Sequence, residues 1–305
     1  MISSLYDKED CLGKKMVQQA VALSNSVVMP LIGFGTFKIK GQEVIFNVVK
    51  AALSAGYRSF DTAEVYRNEE DLGKAFKKYI PENGLKREDI FITSKLGPRD
   101  HGYEACIEAF NMSLKRLQLE YLDMYLIHWP GVQKLKPTDP ENQKRRNESW
   151  SALESLYKSG KVRAIGVSNY NIRHLEDLLK HCTVIPHINQ VEYHPHFQQK
   201  DLKEFCEEHE IKIQAYSSLG TTVCNSPLLE NTQVTEVAKR LGRTPAQVLL
   251  RWATQQGVGV LPKSTNLEHI YENYELNFDL SEEDYMLINS AHITKKYAWD
   301  SSIVI

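Results

Sequence analysis

Four side chains of the sequence have the types and positions that proton transfer to a carbonyl oxygen requires. Asp61 and Tyr66 lie where an apolar run gives way to a polar segment, and Lys95 and His128 each end a later apolar run. A phenol has an ordinary pKa of about 10, so we expect the Asp61 and Lys95 pair to lower the pKa of Tyr66. His128 would donate a hydrogen bond that orients the carbonyl, and Tyr66 would deliver the proton. Since no side chain supplies a hydride, the reaction also needs a cofactor.

Each of these residues alone has an ordinary structural explanation. An aspartate after a strand often caps a helix, a lysine there often extends its amine to solvent, and a histidine is often a hydrogen-bonded core residue. The presence of all four types at or just beyond three consecutive strand ends favours a catalytic site over four unrelated structural roles.

Short apolar runs alternate with amphipathic stretches along almost the whole chain, which predicts strands joined by helices into a parallel sheet. Eight strands with helices outside them indicate an α/β fold, a (β/α)₈ TIM barrel, whose active site lies at the carboxyl ends of the strands. The predicted strands are residues 32–36, 58–62, 91–95, 124–128, 164–168, 188–190, 212–216 and 258–262. The predicted helices include residues 44–55, 68–79, 103–117, 146–158, 172–181, 200–209 and 244–256.

The ends of the chain add two further expectations. Residues 17–29 read as an N-terminal β-hairpin that closes the bottom of the barrel, and residues 291–305 form a short C-terminal tail over its mouth. No linker or repeat divides the chain, so residues 1–305 are expected to form one domain. The rival is a doubly wound sheet, but the glycine pattern after the first strand stops at Gly33 and Gly35 and lacks the third glycine of a dinucleotide fingerprint.

Composition narrows the class of protein. The 305 residues are 42% apolar, and 37 basic against 39 acidic residues give a net charge of −2, which argues against nucleic-acid or anionic-membrane partners. Five cysteines in no paired motif fit reduced thiols better than a disulfide framework or a structural zinc. The charged N-terminus lacks the apolar core of a signal peptide. We therefore expect a cytoplasmic protein that acts on a small molecule.

Two longer motifs carry a resemblance to a known family. Residues 56–63, followed by Asn68-Glu69 and Leu72-Gly73, resemble the first signature of the aldo-keto reductases, and residues 114–128 resemble the second. The similarity extends over about residues 27–290 and is greatest to the branch of prostaglandin F synthase and diketogluconate reductase. It implies that Tyr66 is the proton donor, that Asp61 and Lys95 lower its pKa, and that His128 positions the carbonyl.

The resemblance also implies NADPH as the hydride source, bound across the barrel mouth without a Rossmann domain. Ser168, Asn169 and Gln190 resemble the groups that bind the nicotinamide carboxamide, and Tyr216 resembles the ring that stacks on the nicotinamide. Lys263, Ser264 and Thr265, between a strand end and a helix start, resemble the residues that hold the 2′-phosphate. The remaining implied cofactor contacts are Gly35, Thr36, Phe37, Asp61, Ser217, Leu219, His269, Glu272 and Asn273.

Departures from the family pattern concern the cofactor. His269 stands where the family usually has arginine, and a histidine of ordinary pKa is mostly neutral at pH 7, so we expect weaker discrimination of NADPH from NADH. The loop at residues 221–227 lacks the acidic residue with which some relatives enclose the cofactor, which predicts faster release.

The predicted substrate pocket is apolar and aromatic. Phe37, Tyr66, His128, Trp129 and Trp299 would line it, and such a pocket favours broad activity on aldehydes and activated ketones. The resemblance implies a monomer by default.

Two other functions stay open at this point. The first is a non-catalytic or cofactor-sensing interaction protein on the same barrel, since fold does not fix function. The second is a metal-dependent hydrolase, suggested by His194-Pro-His196, but no third ligand is evident and the expectation is loop-packing histidines without a metal.

Overall fold

The computed structural model of the chain describes residues 19–220, 226–290 and 293–305. Several expectations fall outside these residues. They concern the N-terminal segment, Cys11, Cys224, residues 17–18 of the hairpin, loop residues 221–225 and residues 291–292 of the tail. Among the described helices, none is both long and apolar enough to cross a bilayer.

An antiparallel hairpin precedes the barrel, as predicted. Strand β1 (Ala20–Ala22) pairs with β2 (Val28–Pro30), and Val21 lies opposite Met29. Met29 packs in a buried cluster with residues at or near the start of the barrel strands, such as Phe91 and Ile188. The hairpin therefore closes the amino-terminal end of the barrel, opposite the ends that carry the predicted site.

Eight parallel strands form the barrel, and their order around the sheet follows their order in the chain. The first and last strands meet through a parallel bridge between Ile32 and Val260 and through a hydrogen bond of 2.9 Å from Gly33 N to Val260 O. The (β/α)₈ prediction is confirmed. The strands are β3 (Phe34–Gly35), β4 (Ser59–Asp61), β5 (Phe91–Leu96), β6 (Leu122–Ile127), β7 (Val162–Ser168), β8 (Ile188–Glu192), β9 (Lys212–Tyr216) and β10 (Gly259–Val260).

The closing strands are shorter than predicted for a local chemical reason. Gly35 N still donates to Pro262 O over 3.0 Å, but Pro262 has no N–H with which to continue the ladder. Regular pairing therefore ends where β3 meets β10, and the chain there is free to form the loops of the barrel mouth.

Ten α-helices surround the barrel in the described residues. All seven predicted helices are present, α3 with the predicted ends and the other six with at least one end shifted, and a further one, α9, begins just after Lys263 as the sequence suggested. Helices α7 and α10 were not predicted, although Asn231 caps α7 by accepting a hydrogen bond of 3.1 Å from Val234 N. The helices are α1 (Gln42–Ala55), α2 (Glu69–Glu82), α3 (Tyr103–Leu117), α4 (Glu141–Lys158), α5 (Ile172–Leu179), α6 (Lys200–Glu208), α7 (Thr232–Leu241), α8 (Pro245–Thr254), α9 (Leu267–Glu272) and α10 (Glu282–Asn289).

Helix α2 follows the segment that carries Tyr66, so its packing helps to fix that segment. Gly73 faces the end of α3, and a Cβ atom at this position would lie 2.6 Å from the carbonyl of Leu117. Because the obstacle is backbone, it cannot rotate away as a side chain would. Gly73 thus permits a close approach of the two helices.

We predict that Gly73→Ala lowers the free energy of unfolding by about 1–3 kcal/mol, since the new methyl group forces α2 away from α3. Urea denaturation measures this directly. Lys77→Ala is the matched control, because Lys77 is exposed on the same helix. Equal stability of the two variants would show that the close approach does not limit packing.

Candidate active site

Three of the four predicted catalytic side chains meet at the carboxyl ends of β4 and β5. Lys95 Nζ lies 2.5 Å from Asp61 Oδ1, 2.9 Å from Thr62 O and 3.3 Å from the Tyr66 hydroxyl. Lys95 is fully buried and Asp61 is 4% exposed. An ion pair therefore lies inside the barrel with its amine directed at a phenol.

The electrostatics of Tyr66 differ from the prediction. Burial is the largest influence on its pKa, and the negative charge of Asp61 adds to it, so the pKa of Tyr66 is raised well above its ordinary value rather than lowered. Burial also lowers the pKa of Lys95, against the opposing attraction of Asp61. Desolvation disfavours the charged form of every group in this closed space. The sequence alone does not show which groups become buried, so it does not predict this effect. Tyr66 is therefore held in its protonated form.

His128 completes the predicted set. Its ring centroid lies 5.6 Å from that of Tyr66, with the two rings at 75°. Burial, reinforced by the charge of Lys95, holds the pKa of His128 well below its ordinary value, so the imidazole is neutral. Its Nδ1 atom is buried and has no hydrogen-bond partner among the described residues. This nitrogen therefore faces the protein interior.

A residue that the sequence did not single out, Gln214, extends this network through the barrel interior. Gln190 Nε2 donates to Asp61 Oδ2 and to Gln214 Oε1, each over 2.8 Å, and Gln214 Nε2 lies 3.6 Å from the sulfur of Met29. A polar side chain two residues before Tyr216 on the same face of β9 was the available signal. The network links the hairpin at the barrel floor to Lys95 at its mouth.

The residues predicted to meet the nicotinamide are also close together. Tyr216 donates to Asn169 Oδ1 over 2.6 Å, and Asn169 Nδ2 donates to His128 O over 2.9 Å and to Ser168 Oγ over 3.0 Å. Asn169 has φ of 64° and Ser217 has φ of 52°, which turns the chain sharply at the ends of β7 and β9. Both amide protons of Asn169 are thus engaged within the protein.

The aromatic residues of the predicted pocket are only partly brought together. The ring of Phe37 lies 5.0 Å from that of Tyr66 and 5.9 Å from that of Trp299. Trp129 makes no ring contact with them among the described residues. Its side chain lies beside Gly131, near Val304 of the tail, and its carbonyl is 2.9 Å from His101 Nε2.

The residues predicted to bind the adenosine end lie along β10 and α9. Gly35 and Thr36 border this end of the barrel, and Thr36 Oγ1 donates to Asp61 O over 2.8 Å. Lys263 is next to Gly35 and is half-buried, and among the described residues no carboxylate pairs with it.

The other residues predicted to contact the cofactor differ in their exposure to solvent. Ser264 and Leu219 are half-buried, Thr265 and His269 are exposed, and Asn273 is buried. The Glu272 carboxylate accepts a hydrogen bond from Thr244, the cap of α8, so it already has a structural partner.

The two histidines considered as metal ligands have other contacts. His194 Nε2 lies 2.9 Å from Glu192 Oε1, and His196 Nδ1 lies 2.8 Å from the Tyr297 hydroxyl. Within the described ranges no group of three His, Cys, Asp or Glu side chains is arranged to hold a metal ion. Both histidines pack between β8 and the C-terminal tail.

Comparisons with known proteins agree with this geometry. A model of the Aldo/keto reductase family matches residues 31–293. Glyoxal reductase of Bacillus subtilis is 46% identical over 88% of this chain and 91% of its own. A 9,11-endoperoxide prostaglandin H2 reductase of Trypanosoma cruzi is 43% identical over 92% and 94%. The crystal structure of an aldo-keto reductase from a Medee basin deep-sea metagenome library superimposes with a TM-score of 0.84, at 40% identity, over 92% of this chain and 98% of that one.

We predict that Gln214→Met lowers the free energy of unfolding by about 1–3 kcal/mol, because it leaves a buried N–H of Gln190 without an acceptor. Gln42→Met, at an exposed site on α1, is the control. Urea denaturation of both variants tests the prediction. A Gln214→Met protein as stable as the control would show that this hydrogen bond contributes nothing to the fold.

Proposed function

The chain belongs to the aldo-keto reductase family, and from that premise we propose that it reduces aldehydes and activated ketones to alcohols with NADPH and a proton from Tyr66. As a member it is an NAD(P)H-dependent carbonyl reductase. The observation that carries the finer proposal is the 3.3 Å contact between Lys95 Nζ and the Tyr66 hydroxyl, with Lys95 already paired to Asp61.

When bound, NADPH would supply a hydride for the carbonyl carbon. Tyr66, protonated because its pKa is raised, donates its proton to the carbonyl oxygen. The phenolate that this transfer leaves lies beside the Lys95 amine, which stabilises the negative charge. His128, neutral because its pKa is lowered, can orient the oxygen through a ring N–H without adding a competing charge. In this proposal Lys95 acts on the phenolate as it forms, and the resting phenol keeps its high pKa.

The hydrogen bonds already made by Gln190 support the proposed nicotinamide site. Both amide protons of Gln190 are used by Asp61 and Gln214, so only its Oε1 remains to accept from the carboxamide N–H₂. Tyr216 is half-buried at the adjacent strand end, where its ring can stack on the nicotinamide. Ser168 and Asn169 are the remaining proposed carboxamide contacts, and Asn169 can contribute only as an acceptor, because both of its amide protons are engaged within the protein.

The adenosine end is proposed to bind at Lys263, Ser264 and Thr265. The absence of a carboxylate partner for Lys263 among the described residues leaves its charge for the 2′-phosphate. Exposure of His269 suits a weak contact with the adenosine moiety. The binding energy for the phosphate then comes mainly from Lys263.

We propose that the substrates are small aldehydes and dicarbonyls, in preference to larger compounds. The contacts among Phe37, Tyr66 and Trp299 make an apolar rim around the proton donor, with few polar groups to select one substrate. The name of the glyoxal reductase from Bacillus subtilis points to the same class.

We further propose that residues 1–305 form one domain that acts as a cytoplasmic monomer on small molecules. The near balance of 37 basic and 39 acidic residues supports a small-molecule partner over a nucleic acid. The free thiols of Cys106, Cys182 and Cys206 suit a reducing compartment.

We predict that Tyr66→Phe lowers kcat for glyoxal by about 10² to 10⁴, the usual contribution of a positioned general acid, while NADPH still binds. Loss of NADPH absorbance measures turnover, and quenching of tryptophan fluorescence measures binding. Tyr103→Phe, which removes an exposed hydroxyl on α3, is the control. Turnover that persists at the wild-type rate in Tyr66→Phe would refute the proposed proton donor.

We predict that His269→Arg increases the preference for NADPH over NADH by about tenfold, because an arginine fork adds charge-assisted hydrogen bonds to a phosphate. Dissociation constants of both cofactors should be compared for the wild type, His269→Arg and His269→Ala. A strong NADPH preference in the wild type that survives His269→Ala would contradict the weaker discrimination proposed for this chain.

A further inference from the structure

The last residue of β8, Glu192, has contacts that the proposed reaction does not use. Glu192 is 1% exposed, and its carboxylate accepts hydrogen bonds from three donors. His194 Nε2 lies 2.9 Å from Oε1, Tyr297 N lies 2.5 Å from Oε1, and Ala298 N lies 3.0 Å from Oε2. A buried carboxylate thus holds the backbone of the C-terminal tail, defined here as residues 293–305.

Neighbouring contacts reinforce this attachment. His196 O accepts from Lys295 N over 2.8 Å, and the His196 ring contacts the Tyr297 hydroxyl at 2.8 Å. His196 Nε2 lies 3.2 Å from Asn231 Nδ2, which fixes the ring from the other side. The segment His194-Pro-His196 is therefore part of the tail attachment.

The attachment made by Glu192 ends one residue before Trp299, and the tail is held again beyond Trp299, where His174 Nε2 lies 2.8 Å from Val304 O. Trp299 is 61% exposed and its main ring contact is the edge of Phe37, which in turn contacts Tyr66. Among the described residues, the indole makes no ring contact other than that with Phe37. The backbone on both sides of Trp299 therefore positions the indole, and on the amino-terminal side that backbone is held at Tyr297 and Ala298.

Glu192 also belongs to the strand that carries Gln190. The two side chains are two residues apart, and Glu192 pairs in register with Tyr216 on β9. Glu192 therefore holds the tail against the same two strands, β8 and β9, that form the proposed nicotinamide site. A displacement of the tail backbone would move Trp299 relative to that site.

We propose that Glu192 is a positioning residue that fixes Trp299 over the barrel mouth through the Tyr297 and Ala298 amides. This inference rests on the proposed function for its effect on substrates. It assigns Glu192 to the binding of substrates large enough to reach Trp299, and not to proton transfer at Tyr66. Substrates too small to reach the indole do not depend on it.

The charge of the carboxylate matters as well as its shape. Burial alone would raise the pKa of Glu192, but the hydrogen bonds from His194, Tyr297 and Ala298 outweigh burial and hold the pKa below its ordinary value. An ionised carboxylate presents acceptors at both oxygens. In Glu192→Gln one of these becomes an N–H₂ group that faces an N–H donor, so at least one contact with the tail is lost.

The test compares Glu192→Gln with Trp299→Ala, with the double variant, and with Glu207→Gln as the control. Glu207 lies on α6 with an exposed carboxylate, so its change removes the same charge away from the tail. KM and kcat are measured with glyoxal and with a bulky aromatic aldehyde. Limited trypsin digestion at Lys295 and Lys296, followed by mass spectrometry of the released peptide, reports the tail without any turnover.

Glu192→Gln should raise KM for the aromatic aldehyde by about tenfold, equivalent to about 1.4 kcal/mol, with kcat for glyoxal within about twofold of the wild type. Tail cleavage should be faster than in Glu207→Gln. In the Trp299→Ala background, Glu192→Gln should add little to KM, because both changes remove the same contact.

Unchanged tail cleavage in Glu192→Gln would overturn the inference. So would an equal fall in kcat for both aldehydes, since that result belongs to a general structural defect. If the wild type turned over no carbonyl at all, the proposed function would fail, while the digestion would still decide whether Glu192 holds the tail.

Discussion

The site depends on one buried ion pair, that of Lys95 with Asp61. Removing both charges from water is costly, and the pair is tolerated because every remaining bonding position is filled. Thr62 O takes a second proton of the Lys95 amine, and Gln190 occupies the second oxygen of Asp61. The third direction of the amine is left for the Tyr66 hydroxyl. The buried ion pair thus fixes the position of the Tyr66 hydroxyl, because the other hydrogen-bonding directions of Lys95 are already taken.

That pair requires a closed barrel with its strands in fixed register. Asp61 pairs in register with Gly35 on one side and Thr93 on the other, and Lys95 lies two residues further along β5. In an open sheet, the polar chain through Gln190 and Gln214 would face solvent and lose its strength. The hairpin at the floor supplies the last neighbour, Met29, so the polar chain is covered at its lower end.

Local patterns in the sequence predicted the eight strands and the three strand ends that carry Asp61, Lys95 and His128, because alternation of apolar and amphipathic runs is a local property. They did not predict Gln214 or the role of Glu192. Strand β8 was expected to end at residue 190, whereas it extends to Glu192, and the tail amides that the Glu192 carboxylate accepts from lie about a hundred residues away. The predicted direction of the Tyr66 pKa shift was wrong for the same reason, since desolvation depends on atoms from distant parts of the chain.

The tail is attached on both sides of Trp299. Glu192 holds Tyr297 and Ala298, and beyond the indole the Val304 carbonyl accepts from His174 Nε2 over 2.8 Å. The conformational entropy of this segment is therefore lost during folding and is not lost again at each encounter with a substrate. In the proposed function a substrate meets a rim that is already ordered, so its affinity is not reduced by a loop-closing penalty.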